Sequence, residues 1–182
     1  MKVGIYIGRF QPLHVGHLSI ISHMCETYEH IIILVGSANL PSSRKNPFDF
    51  DIRKQWLNQA FAELKNHDIS QQNLSILPLN DDPDEKKWEA ELAAQVNSVT
   101  EPSDQITLVG HEKDNSSYYL NSFSQWGYES VGRSINISAT PIREAWFAGG
   151  LKELKPYEQY LSPNVAEYLT QNSQKYAHLL TK

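Results

Sequence analysis

Two histidines, His14 and His17, stand three residues apart with Gly16 between them, directly after Gly8-Arg9-Phe10-Gln11-Pro12-Leu13. The apolar run Val3 to Ile7 precedes them, and Leu18, Ile21 and Met24 follow at helical spacing. The pattern is strand, tight Gly/Pro turn, helix. Residues three apart share a helix face, so both imidazoles can address one ligand. A helix N-terminus leaves backbone N–H groups unpaired and carries the positive end of the dipole, which suits an anion. Gly16 lacks the side chain that would hold a bulky phosphate away from the backbone. These features predict a polyphosphate cradle. A second stretch, Ile137-Ser138-Ala139-Thr140-Pro141-Ile142-Arg143, repeats the logic. Thr140 reads as an N-cap, Pro141 as the first helical residue and Arg143 as a first-turn cation. A competing reading makes His14 and His17 ligands of a metal, but no matching third ligand set lies nearby and no protein-held metal is expected.

The elements that must position these groups alternate. Strands are expected at about 2–7, 31–35, 74–79, 105–110 and 128–131. Helices are expected at about 14–28 and 50–64, after the acidic turn Asp81-Asp82-Pro83-Asp84, at about 117–126, and from Thr140 to the Gly149-Gly150 stop. Shorter helical segments are expected at 157–161 and 165–169. The run Ile31-Ile32-Ile33-Leu34-Val35 is aliphatic throughout, as in a strand buried on both faces of a parallel sheet. The long polar loop from Gly36 to Phe48 has the length of a functional loop. The expected class is therefore α/β with a parallel sheet and right-handed crossovers. Ligands bind such sheets at the carboxyl ends of the strands, where strand order reverses. Arg9, His14, His17, the Asn46 loop and Gly110-His111 all fall at strand ends of that kind. The other five of the seven histidines (His23, His30, His67, His111, His178) read as surface or core residues. That reading is weakest for His111, which directly follows Gly110.

The chain has 182 residues, 40% of them apolar, which fits a single domain over 1–182 with a C-terminal helical segment from about 151. A net charge of −5 argues against a general nucleic-acid or membrane-surface binder. It leaves room for a small anion held by a few local cations. Cys25 is the one cysteine, so neither an internal disulfide nor a cysteine zinc site is available. No apolar run is long enough to span a bilayer and the N-terminal run has no signal-peptide character, so a cytoplasmic protein is expected.

The sequence lacks G-x-x-x-x-G-K-[ST], G-x-G-x-x-G, H-E-x-x-H and G-x-S-x-G. His14-Val15-Gly16-His17 resembles the first signature of the HxGH nucleotidyltransferase superfamily, and Ile137 to Arg143 resembles its second. Gly8-Arg9-Phe10-Gln11-Pro12 narrows the resemblance to the nicotinamide-nucleotide adenylyltransferases. Asn46-Pro47-Phe48 followed by Arg53 is similar to the archaeal-type subgroup, although Phe48 to Arg53 lacks the Gly-Glu usual there. The resemblance runs from about residue 2 to 170. It implies a Rossmann-like doubly wound parallel sheet of the HxGH nucleotidyltransferase type. Some relatives of this kind carry a fused Nudix hydrolase domain, for which no Nudix box is present here.

The resemblance implies an enzyme that transfers the adenylyl group of ATP to nicotinamide mononucleotide by direct in-line attack, giving NAD and pyrophosphate. No general base is required, because phosphate oxygens are already nucleophilic; positioning and charge stabilisation carry the catalysis. His17, His14 and Arg143 are the implied catalytic residues. Gly8, Arg9, Phe10, His14, Gly16, His17, Gly110, Ser138, Thr140, Ile142 and Arg143 would surround ATP. Arg44, Asn46, Phe48, Asp81 and Trp88 would receive the mononucleotide. Trp88 shares a helical stripe with Leu92 and Val96, so core packing and ligand stacking remain open readings for it. Mg2+ is expected mainly on the ATP phosphates. The resemblance also implies homo-oligomers, with no nucleic acid or membrane partner. The alternatives are another HxGH transferase, adenylating phosphopantetheine or cytidylating a phospho-alcohol, and a non-catalytic nucleotide-sensing module.

Overall fold

Alternation along β2 (His30–Val35) sets up the two layers of the fold in a computed structural model of the chain. All six of its residues are buried, but they divide between two cores. Ile31, Ile33 and Val35 face one, and Ile32 and Leu34 face the other, as the two-residue period of a strand requires. The structure describes residues 1–65, 73–111, 122–132 and 135–180. The remaining strands are β1 (Lys2–Gly8), β3 (Asn73–Pro78), β4 (Gln105–Gly110) and β5 (Gly127–Ser130). They pair in the order β3-β2-β1-β4-β5, parallel at every step. The order runs outward from β1 in both directions, so the switch point lies between β1 and β4.

Helix α1 (Val15–Thr27) follows β1, α2 (Phe50–Lys65) follows β2 and α3 (Glu85–Asn97) follows β3. Then come α4 (Ala139–Gly149), α5 (Leu151–Leu154) and α6 (Pro163–Gln171), with tighter 3₁₀ turns at Lys155–Tyr160 and Ser173–Leu179. One core joins Ile20, Ile21 and Met24 of α1 to Trp56 and Phe61 of α2, Ile142 and Trp146 of α4, and Val165 and Leu169 of α6. The other packs Leu92 and Val96 of α3 on Val3, Ile5 and Leu108. Each helix thus buries one apolar stripe on one sheet face, which is why the strands are apolar on both.

The expected α/β class and parallel sheet are observed. The differences lie at the ends of elements. His14 is the N-cap of α1 rather than its first residue. Helix α4 begins at Ala139, with Ser138 as N-cap in an extended conformation (φ −129°, ψ 162°). Thr140 is therefore a first-turn residue and not the cap. Pro141 is tolerated there because the first-turn N–H groups have no intrahelical partner in any case. In the expected helix 117–126, residues 117–121 lie outside the described residues, and residues 122–126 form turns. Among the described residues no helix is long and apolar enough to cross a membrane.

Candidate active site

At the switch point, the chain leaving β1 must turn into α1 within six residues, 9–14. Phe10 makes the reversal with φ 51°, in the left-handed region that bulky residues rarely adopt. Its buried ring folds back over the strand end, where a Cβ on Gly8 would meet it at 2.7 Å. The same ring lies 4.9 Å from His17, centroid to centroid. Turn and helix α1 are thus locked together by one aromatic side chain.

His14 caps α1 with its ring. Its Nδ1 accepts the Gly16 backbone N–H at 3.1 Å, and His17 Nδ1 accepts the His14 backbone N–H at 3.2 Å. The two rings stack at 3.7 Å. Because both Nδ1 atoms accept, each neutral imidazole must carry its proton on Nε2. Burial, and then the positive charge of neighbouring imidazoles, pushes the His14 pKa down to about 4 and that of His17 well below the usual value. At neutral pH both rings are uncharged Nε2–H donors. Gly16 has its reason here, since a Cβ would stand 2.9 Å from His14 Cε1 and 3.0 Å from its Nδ1.

The opposite wall is the start of α4. Arg143 is buried, with Nη1–H donating to the Gln11 carbonyl at 2.6 Å and Nη2–H donating to Thr140 Oγ1 at 3.2 Å. Burial and then the nearby charge of Arg9 push its pKa down, with Glu144 opposing. Among the described residues neither Arg9 nor Arg143 forms an ion pair. Ser138 makes no capping bond with its side chain. Tyr6, Arg9, Phe10, Gln11, His14, His17, His111, Ile137, Ser138, Ala139, Thr140 and Arg143 enclose a cleft of about 240 Å³. A neighbouring cavity of about 350 Å³ shares Arg9, Thr140 and Arg143 and adds Arg44, Lys45, Glu144 and Phe147. Among the described residues no carboxylate lines the first cleft, and no group of three or more His, Cys, Asp and Glu could hold a metal ion.

The candidates from the sequence divide accordingly. Arg9, Phe10, His14, His17, Ser138, Thr140 and Arg143 meet in the cleft. Gly8 and Gly16 shape it from behind, and the buried Ile142 side chain anchors α4 in the core. Among the described residues a Cβ on Gly110 would meet no atom within 4 Å. Arg44 reaches the second cavity, its guanidinium carbon 5.3 Å from the centre of the Phe147 ring. Asn46 is buried, and among the described residues its Oδ1 has no hydrogen-bond partner.

Phe48 departs from expectation. It is 1% exposed and packed among Trp56, Trp146, Tyr168 and Tyr176, so it offers no free face to a ligand ring. Asp81 accepts from Ser37 Oγ at 2.8 Å and joins the loops after β2 and β3. Trp88 is half-buried against the α3 core, and neither it nor Asp81 lines the cleft.

Two residues matter more than sequence reasoning assigned them. Gln11 holds the Phe48 backbone in both directions, donating from Nε2 to its carbonyl at 2.7 Å and accepting its N–H at Oε1 at 3.0 Å. Arg53, 1% exposed, donates to the carbonyls of Asp49 (3.0 Å), Arg9 (2.8 Å) and Gly36 (2.7 Å), with a longer contact to Ser37 (3.5 Å). Burial pushes its pKa down to about 10. A lone arginine at a helix start carries no signal of such a role beyond its place in the Asn-Pro-Phe motif. His111, the histidine that follows Gly110, also lines the cleft.

The chain matches the cytidylyltransferase-like family model over residues 5–145. It is 35% identical over 82% of its length to the nicotinamide/nicotinic acid mononucleotide adenylyltransferase of Acinetobacter baylyi, covering 77% of that protein. It is 27% identical over 93% of its length to the nicotinamide-nucleotide adenylyltransferase of Thermococcus kodakarensis, covering 82% of it. Two structures of a bifunctional NMN adenylyltransferase/ADP ribose pyrophosphatase from Francisella tularensis superpose on 98% of the chain. One has a TM-score of 0.84 at 34% identity; the other, complexed with AMP and a manganese ion, has 0.82 at 32%. The chain spans about half the length of those two, 52% in each case. With signatures, sheet order and family match in agreement, the chain belongs to the cytidylyltransferase-like family.

Proposed function

We propose that the chain is an adenylyltransferase that joins ATP to nicotinamide mononucleotide, giving NAD and pyrophosphate. The observation that carries this reading is the pairing, across one cleft at the switch point, of two Nε2–H imidazoles with two guanidiniums that form no ion pair among the described residues. Such a site holds a polyanion and offers donors where charge develops. The names of the relatives support the nucleotide chemistry, and the resemblance from residue 2 to 170 supports reading it onto this chain.

In this reading a 5′-phosphate oxygen of the mononucleotide attacks the α-phosphorus of ATP. The bond from that phosphorus to the β-bridging oxygen breaks, and pyrophosphate leaves with the electron pair. His17 donates to an α-phosphoryl oxygen, His14 to the β/γ end, and Arg143 with the first-turn N–H groups of α4 receives the departing pyrophosphate. Arg9, shared by both cavities, spans the phosphates of the two substrates, and Arg44 and Asn46 hold the mononucleotide end. Among the described residues the cleft lining has no carboxylates, which fits a divalent ion held by phosphates and water rather than by a protein cage. Magnesium would screen the triphosphate there. We read residues 1–182 as one nucleotidyltransferase domain, supported by the core that Leu154, Val165 and Leu169 share with α1.

The test is steady-state pyrophosphate release with ATP, magnesium and, side by side, nicotinamide mononucleotide, nicotinic acid mononucleotide, phosphopantetheine and a phospho-alcohol with CTP. A mononucleotide-dependent signal that His17→Ala lowers by about 10²-fold is expected. Tight ATP binding with no turnover on any acceptor would overturn the reading in favour of a sensing module.

A further inference from the structure

Three histidines line the cleft, and their tautomers are not alike. His14 and His17 accept backbone N–H groups at Nδ1 and present Nε2–H. A second proton on either ring would have to go to Nδ1 and would break that bond. His111 is the reverse case. Its Nδ1 lies 3.1 Å from the Val131 carbonyl, which can only accept, so Nδ1 carries the proton and Nε2 the lone pair. Its own carbonyl accepts from the Tyr128 hydroxyl, so ring and backbone are both fixed by the segment that runs through β5. Among the described residues Nε2 has no hydrogen-bond partner.

In its neutral form His111 therefore adds a lone pair to a cavity whose other polar groups are predominantly donors: the imidazoles of His14 and His17 on α1, the guanidinium of Arg9 after β1, and that of Arg143 on α4. A phosphate oxygen brought to Nε2 would meet lone pair against lone pair. Protonating Nε2 converts it to a charged donor and leaves the Val131 bond intact. Of the three rings, only His111 can gain a proton without losing a hydrogen bond.

We propose that His111 is a third imidazole contact to the phosphates of the nucleotide, and that it takes up a proton at Nε2 when the polyanion binds. The inference rests on the cleft being a triphosphate site. It makes nucleotide binding take up a proton, which at His14 or His17 would cost a backbone hydrogen bond.

Calorimetric titration of the protein with magnesium-ATP, without acceptor, in buffers of different ionisation enthalpy and slightly above neutral pH, tests it. The buffer dependence of the heat reports proton uptake directly. The wild type should take up a fraction of a proton, up to one per site. Its Kd should rise with pH, by at most about tenfold per unit. His111→Asn keeps an N–H near the position of Nδ1 and removes the titrating nitrogen; it should bind more weakly, with uptake near zero and a flat pH dependence. Binding without uptake by the wild type, a measurement that needs no variant, overturns the inference and leaves the proposed function standing. Equal uptake in His111→Asn also overturns it. No binding of magnesium-ATP at all overturns both.

Discussion

Gly16→Ala separates what the first helix needs for folding from what it needs for chemistry. Gly16 is the second residue of α1, where alanine is favoured over glycine by about 0.5–1 kcal/mol. The added methyl, however, would stand 2.9 Å from His14 Cε1, 3.0 Å from Nδ1 and 3.4 Å from Ile137 Cγ2. The ring must move by several tenths of an ångström, and the 3.1 Å bond from the Gly16 N–H to Nδ1 is strained or lost. Losing an N-cap bond costs about 1 kcal/mol, so the two stability effects nearly cancel. Chemistry has no such compensation. Without the N–H on Nδ1 the tautomer is no longer fixed, and the displaced ring disturbs its 3.7 Å stack on His17. Loss of one positioned donor costs about 10²–10³ in rate. The expected variant unfolds in urea within about 1 kcal/mol of wild type but releases pyrophosphate about 10²-fold more slowly. Turnover within a few-fold of wild type would refute the tautomer reasoning, and a stability loss above about 3 kcal/mol would show that the position serves packing.

Arg53→Met removes the donor for the carbonyls of Asp49, Arg9 and Gly36. Relief of burying a charge offsets part of the loss, so urea unfolding should show a cost of about 2–4 kcal/mol; wild-type stability would mean that water satisfies those carbonyls. The depressed pKa of His14 makes its contribution to stability full above 6.5, with loss as pH falls from 6.5 towards about 4. The window is worth up to about 3 kcal/mol, and His14→Asn should make stability measured by urea unfolding less steep across it, with the remaining slope carried by the likewise depressed His17. Trp88→Ala should raise KM for the mononucleotide more than KM for ATP. Lost stability with both KM values unchanged would assign Trp88 to the α3 core alone.

The sheet was legible because its signal is local. A two-residue alternation inside an aliphatic run identifies β2, and a glycine and proline turn between apolar runs identifies the passage from β1 to α1. The cleft-lining residues were legible for the same reason, since helix ends and histidines three residues apart are short-range patterns. What the sequence concealed is long-range. Phe48 stands in a polar loop, and only the convergence of Trp56 from α2, Trp146 from α4 and Tyr176 from the C-terminal turns makes it a core residue. Gln11 pairs with Phe48 across 37 residues and Arg53 with Arg9 across 44, distances at which side-chain type predicts no partner. The shift of the α4 cap from Thr140 to Ser138 is a different kind of miss. Both residues cap well, and backbone dihedrals rather than composition decide between them.

The way the cations are held explains how a chain of net charge −5 can offer a site to a polyanion. Arg143 is oriented by the Gln11 carbonyl and the Thr140 hydroxyl, and Arg53 by backbone carbonyls; no salt bridge joins either to a carboxylate among the described residues. Neutral acceptors fix the geometry of a guanidinium without cancelling its field. A carboxylate in the same place would hold the side chain more firmly and leave less charge for the ligand. The imidazoles follow a complementary rule. As neutral donors they stabilise a phosphoryl oxygen by hydrogen bonding, yet they add nothing to the repulsion between Arg9 and Arg143 while the cleft is without an anion. In the proposed reaction the Arg9 and Arg143 guanidiniums would supply full charge in this cleft, and the neutral Nε2–H donors of His14 and His17 would become polarised as substrate arrives. Preorganisation of that kind lets the interaction grow with charge development on the reacting phosphate instead of being spent on the ground state.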